Sequence, residues 1–148
     1  MTKRLLFICT GNYYRSRFAE AVFNHHAELA GLAWRAFSRG LAIHLVPEGD
    51  LSEQTWEALI ARKILLRHTG ETRVQLAESD LQQAQLIIAL QDFEHRPMIL
   101  DQFQAWVDRI TFWDVADMPH TPSHEALPMI EKRVMSLLDE LGKNKSER

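Results

Sequence analysis

In the stretch "KRLLFICTGNYYRSRF", residues Leu5 to Ile8 are apolar at consecutive rather than alternate positions. A strand built from them has to be covered on both of its faces. The loop that follows contains Gly11 and Asn12 and leads into a segment where Phe18, Ala19, Val22, Phe23, Ala27 and Ala30 recur every three to four residues, before Gly31. That spacing predicts an amphipathic helix with a glycine stop. A doubly buried strand that feeds a helix through a short loop is the opening unit of an α/β sheet protein.

The rest of the chain continues the alternation. Residues 33 to 38 read as a second strand, and Asp50 and Glu53, at capping-box spacing, open a helix with Trp56, Leu59 and Ile60 on one face. "LIIAL" at 86 to 90 is another doubly buried strand, followed by a helix from Phe93 to about Phe103 and a fourth strand at 109 to 115. Leu127, Ile130, Val134, Leu138 and Leu141 mark a closing helix that Gly142 ends. Pro128 requires that helix either to begin near it or to kink there. Trp34, Trp56, Trp106 and Trp113 read as core or core-edge side chains. The expected architecture is a single α/β doubly wound domain over residues 1–148, with a four-stranded parallel sheet flanked by helices on both faces and residues 143–148 as a frayed tail.

A net charge of −3 gives no basic excess with which to bind nucleic acid or an anionic membrane, so neither is an expected partner. The apolar run at the N-terminus is too short for a signal-peptide core or a membrane span. One cysteine allows no internal disulfide, and the expected setting is a cytoplasmic monomer.

Ligands of such sheets sit outside the carboxyl ends of the strands, where Cys9, Asp92, Asp114 and Asp117 fall. Taken alone, Cys9 reads as a small buried hydrophobe, and an arginine six positions later adds little, since Lys and Arg fill 17 of 148 positions. The whole loop "CTGNYYRS" says more. Between a strand and a helix, its successive backbone N–H groups can form an anion cradle beside the positive helix end. Gly11 and Asn12 suit a curled backbone, and Arg15 offers a planar, permanently charged fork for phosphate oxygens. The same field favours the thiolate of Cys9, with Ser16 as a hydrogen-bond donor to it. A thiolate beneath a bound phosphate is placed for in-line attack on phosphorus. Such chemistry calls for no metal or other cofactor, and neither His25 with His26 nor His120 with His124 has the geometry of a metal pair.

"LLFICTGNYYRS" resembles the phosphate loop of the low-molecular-weight protein tyrosine phosphatases, C-x-G-N-x-C-R-S-P directly after the first strand. "FSRG" at 37 to 40 looks like the S-A-G segment of that family, "LQQAQLIIALQDFEHRPMI" like its A-D-L-I-x-x-M-x-x-x-H stretch, and "FWDVADMP" like its Asp-Pro loop. The resemblance implies Cys9 as nucleophile, Arg15 as phosphate clamp, Asn12 as loop stabiliser, Ser16 as thiolate stabiliser and Asp117 as general acid and base. Thr10, Gly11, Tyr13 and Tyr14 complete the substrate-binding loop, and Tyr13 offers an aromatic wall to a phenyl ring. The implied activity is that of a metal-independent phosphomonoesterase working through a phosphocysteine, on phosphotyrosine in proteins or on small aryl phosphates.

Three departures stand out. Tyr14 replaces the second loop cysteine of the family, so a protective disulfide cannot form. Arg17 replaces a proline, removing a backbone restraint and adding positive charge near the anion site. Met118, not proline, follows Asp117, which leaves Asp114 as a rival acid. Gln85 and Leu90 stand for an aspartate and a methionine of the family and read as structural. Arg17 and the altered Asp-Pro pair leave a phosphate-binding module with little or no turnover as the alternative reading.

Overall fold

Leu5, Leu6, Phe7 and Ile8 are all fully buried in β1 (Lys3–Cys9) of the computed structural model, which describes residues 1–46 and 49–146. Their side chains alternate between two cores. Leu5, Phe7 and Cys9 pack with α1 (Arg15–Ala30), α2 (Glu53–Ala61) and α5 (Ser123–Ser146), through residues such as Phe18, Phe23, Leu59, Ile130 and Val134. Leu6 and Ile8 face the other way, toward Leu81 of α3 (Glu78–Gln83) and Ile99 of α4 (Asp92–Gln102). The consecutive apolar run is therefore a strand covered on both sides.

Three parallel strands join β1: β2 (Trp34–Gly40), β3 (Leu86–Ala89) and β4 (Thr111–Phe112), in the order β2-β1-β3-β4. The expected α/β sheet with helices on both faces is present. The order changes direction between β1 and β3, so the crevice at their carboxyl ends is where a ligand site is to be sought in an open sheet. Gly31 closes α1 in the left-handed conformation at φ 65°, as a glycine stop does.

Several boundaries differ from the sequence expectation. The N-cap of α2 is Ser52, whose hydroxyl accepts from the Thr55 N–H at 3.0 Å; Asp50 lies outside the helix. Thr55 and Leu59 form its buried face, while Trp56 and Ile60 are about half exposed, at 46 % and 51 %. The short α3 was not anticipated; the Asp80 carboxylate accepts from the Ala77 N–H at its start. Strand β4 is two residues long, paired with β3, and beyond it Trp113 and Val115 donate to Ala89 and Leu90. Helix α5 begins at Ser123 and runs through both Pro128 and Gly142 to Ser146. Pro128 forgoes one hydrogen bond, to the carbonyl of the exposed His124, in the early part of the helix. Of the expected tail, residues 147 and 148 lie outside the described residues. Among the described residues no helix is long and apolar enough to cross a membrane.

Candidate active site

The loop from Cys9 to Ser16 leaves the carboxyl end of β1 and enters α1, whose N-terminus has no side-chain cap. Gly11 is required there for space rather than for an unusual φ: a Cβ on it would sit 2.3 Å from Val46 Cγ2. Asn12 takes the left-handed conformation, at φ 51°. Its side chain also pins the loop. Asn12 Oδ1 accepts from the Val74 N–H at 2.9 Å, and Nδ2 donates to Ser16 Oγ at 3.1 Å and to Ser38 Oγ at 2.9 Å.

Cys9 is buried with its Sγ 2.9 Å from Ser16 Oγ. Since Ser16 Oγ already accepts from Asn12, its own proton is free to point at the sulfur. Arg15 is 2 % exposed; Nη1 donates to the Val115 carbonyl and Nη2 to Glu94 Oε2, each at 2.8 Å. Asp117 Oδ2 lies 3.5 Å from the same Nη2. Arg15 Nε has no hydrogen bond among the described residues. Burial works against the Arg15 cation, but the charges of Cys9, Glu94 and Asp117 outweigh it and hold the guanidinium more firmly protonated than usual.

Of the four chemical groups expected at strand ends, Cys9 and Asp117 meet around Arg15. Asp92 is instead an exposed partner of Arg96, at 2.6 Å. Asp114 is exposed and, among the described residues, forms no ion pair with Arg15. Asp117 remains half exposed, with one oxygen accepting from the Met118 N–H at 2.9 Å.

Glu94 is a site residue that sequence reasoning did not find. Its Oε2 accepts from Arg15 and from Thr10 Oγ1, and lies 3.2 Å from Nε2 of the fully buried His95. His95 Nδ1 accepts from the Gln91 N–H at 3.0 Å, so the ring proton of the neutral form sits on Nε2, where it faces Glu94 and Thr10. Burial pushes His95 toward that neutral form. For Glu94, burial favours the acid, yet the hydrogen bonds from His95 and Arg15 and the Arg15 charge prevail and hold the carboxyl far below the usual carboxylate range. The available signal was an acidic residue beside a histidine just past β3.

The departures from the expected loop are placed as follows. Tyr13 is half-buried beside Gly49. Tyr14 is 5 % exposed and joins the core, where its hydroxyl has no hydrogen-bond partner among the described residues. Burial and the Asp117 charge, partly offset by Arg15, push this phenol up to about 12. Arg17 brings the expected positive charge close enough to act on Cys9, but its hydrogen bonds are spent elsewhere. Its guanidinium is buried against the carbonyls of Asp50 and Gly70 and the Thr69 hydroxyl.

The sequence model of the low molecular weight phosphotyrosine protein phosphatase family matches residues 4–147. A protein-arginine-phosphatase of Bacillus subtilis is 33 % identical over 106 residues, 72 % of this chain and 67 % of that protein. Among solved structures, a low molecular weight protein tyrosine phosphatase from T. tengcongensis superimposes with a TM-score of 0.75 at 29 % identity, covering 97 % of this chain and 99 % of the other. The YwlE arginine phosphatase, in a variant with a phosphorylated active-site serine, does so with a TM-score of 0.80 at 25 % identity over 98 % and 99 % of the two chains.

Proposed function

Because the chain belongs to the low molecular weight phosphotyrosine protein phosphatase family, we propose that it removes phosphate from phosphotyrosine side chains through a phosphocysteine on Cys9. The observation that carries this reading is the pairing of Cys9 Sγ with Ser16 Oγ at 2.9 Å, one turn of chain from a buried Arg15. The hydroxyl lies within hydrogen-bond reach of the sulfur that would attack phosphorus, and a buried guanidinium is suited to the phosphoryl oxygens.

In this reading the loop amides and Arg15 hold the phosphoryl oxygens while the Cys9 thiolate attacks phosphorus opposite the leaving oxygen. The S–P bond forms as the P–O bond to the tyrosyl oxygen breaks. Asp117 gives its proton to that oxygen, whose conjugate acid has a pKa of about 10, an assistance of roughly 10²- to 10⁴-fold. Water then attacks the phosphocysteine, and the Asp117 carboxylate takes the proton of that water as inorganic phosphate leaves. Tyr13 supplies an aromatic edge to the substrate ring.

A second substrate reading, phosphoarginine, is favoured by a specific feature. Two carboxylates, Glu94 and Asp117, lie against Arg15, at 2.8 and 3.5 Å, and place negative charge beside the phosphate site. A phosphorylated guanidinium carries a compensating positive charge and a phenyl ring does not. The relative named for arginine dephosphorylation supports the same reading. The test is kcat/KM on matched phosphotyrosine, phosphoarginine and phosphoserine peptides, with Cys9→Ser as the blank. The phosphotyrosine peptide is expected to be hydrolysed fastest. Preference for the phosphoarginine peptide moves the assignment to that substrate, and Cys9-independent release removes both.

A further inference from the structure

Arg17 is buried to 2 % exposure at the base of the phosphate loop, yet it takes no part in the chemistry just described. Its Nη1 donates to the Asp50 carbonyl at 2.6 Å and Nη2 to the Gly70 carbonyl. Its Nε donates to Thr69 Oγ1 at 2.6 Å, which leaves the Thr69 proton to go to Glu20 Oε1 at 2.8 Å. The same carboxylate oxygen accepts from Ser38 Oγ at 2.6 Å. With its proton committed to Glu20, Ser38 can only accept from Asn12 Nδ2, whose orientation is set by the Val74 N–H on Oδ1. The second Asn12 amide proton goes to Ser16, which leaves the Ser16 proton able to point at Cys9. Donor and acceptor roles are fixed from Arg17 to Ser16, and at the last contact a Cys9 thiolate can only accept, so Ser16 is the donor to it.

The direction of the chain depends on Glu20 accepting. Burial pushes the Glu20 carboxyl upward, toward its neutral form, and prevails, with Ser38, Thr69, the Arg17 charge and the Gly70 N–H offsetting only part of the rise. A neutral carboxyl can donate, and a donor facing Ser38 would contest that hydroxyl with the Asn12 amide. The charged groups facing Arg17 are Glu20, Asp50 and Cys9, all of which favour its cationic form against burial. The cation thus opposes the desolvation of the one carboxylate on which the chain is anchored.

We propose that Arg17 is a positioning residue for the nucleophile: through Thr69, Glu20, Ser38, Asn12 and Ser16 it holds the hydroxyl that faces Cys9 in its donating orientation. The proposal rests on Cys9 being the reactive group. It differs from a purely structural role, in which Arg17 only ties the backbone at Asp50 and Gly70 together.

The test uses the full chain and iodoacetamide, which reports on the single thiol without turnover. In Arg17→Met the alkylation rate at neutral pH is expected to fall about tenfold, with the pH profile displaced upward, since one unit of displacement is tenfold in thiolate at low occupancy. With p-nitrophenyl phosphate, kcat should fall while KM stays near wild type, because Arg15 still holds phosphate. Arg17→Lys should recover most of the alkylation rate. Thr69→Val, which cuts the relay but keeps both charges and the Arg17 bonds to backbone, should show a displaced profile together with a lowered melting temperature, because Arg17 Nε and Glu20 each lose a buried partner. A wild-type alkylation profile in Thr69→Val, or in a folded Arg17→Met of lowered melting temperature, overturns the proposal in favour of the structural role. If Arg17→Met does not fold, the Thr69→Val profile decides alone. A wild-type protein that alkylates in this Arg17-dependent way but releases no phosphate supports the positioning role and removes the phosphatase reading.

Discussion

Glu94 Oε2 accepts a hydrogen bond from Arg15 Nη2 at 2.8 Å, so the cation proposed to clamp phosphate is already held by a carboxylate. The contact ties the first turn of α4 to the first turn of α1. It also has a pH signature. Burial raises the Glu94 carboxyl, but His95 and Arg15 more than reverse this and keep it well below the ordinary value of about 4.3. A carboxyl depressed in the folded state adds stability that is full above the unfolded value and is lost as pH falls through the folded one. The difference in melting temperature between wild type and Glu94→Gln should therefore be largest near neutrality and shrink below about pH 4. Thermal melts of both proteins across that range check this, and a constant difference down to strongly acid pH contradicts it.

Asp117 and Asp114 are separated by their contacts with Arg15. Asp117→Asn should lower kcat/KM on phenyl phosphate by about 100-fold and on p-nitrophenyl phosphate much less, because kcat/KM reports the step in which the leaving group departs and only the poorer leaving group depends on a proton donor there. Asp114→Asn, altering an exposed side chain away from the guanidinium, should leave both rates near wild type. If the leaving-group dependence appears in Asp114→Asn and not in Asp117→Asn, the acid is Asp114.

The Tyr14 hydroxyl is buried without a hydrogen-bond partner among the described residues, a desolvation cost with no return in the free protein. Tyr14→Phe should retain wild-type kcat and be as stable as wild type or more so, by up to about 1 kcal/mol in denaturant unfolding. A loss of activity at unchanged stability would instead assign the hydroxyl to the substrate.

Much of this site could be read before the fold was known, because its central parts are local. β1, its loop and α1 follow from consecutive apolar residues, a helical period and the residues between them. Asn12, Arg15 and Ser16 lie within seven residues of Cys9, and the structure brings them together there. The remainder depends on contacts distant in sequence. Glu94 reaches Arg15 across 79 residues, and Thr69 reaches Glu20 across 49. Ser16, Glu20 and Asn24 form a four-residue spacing along α1 that ordinarily marks a solvated helix face. Here Ser38, Thr69 and the backbone of Ala36 bury it. The opposite error occurs in α2, where an apolar period suggested a buried Trp56 and Ile60, but the neighbouring elements cover only Thr55 and Leu59. Strand β4 is likewise shorter than its run suggests: its residues carry strand propensity, but only two of them find a ladder partner on β3.

The most direct test of the account is the covalent intermediate itself. Wild-type protein quenched in acid during turnover of p-nitrophenyl phosphate should carry one phosphoryl group on the peptide containing Cys9, and Cys9→Ser should show no turnover. Steady phosphate release by Cys9→Ser, or a phosphoryl group on any other residue of the wild type, contradicts it.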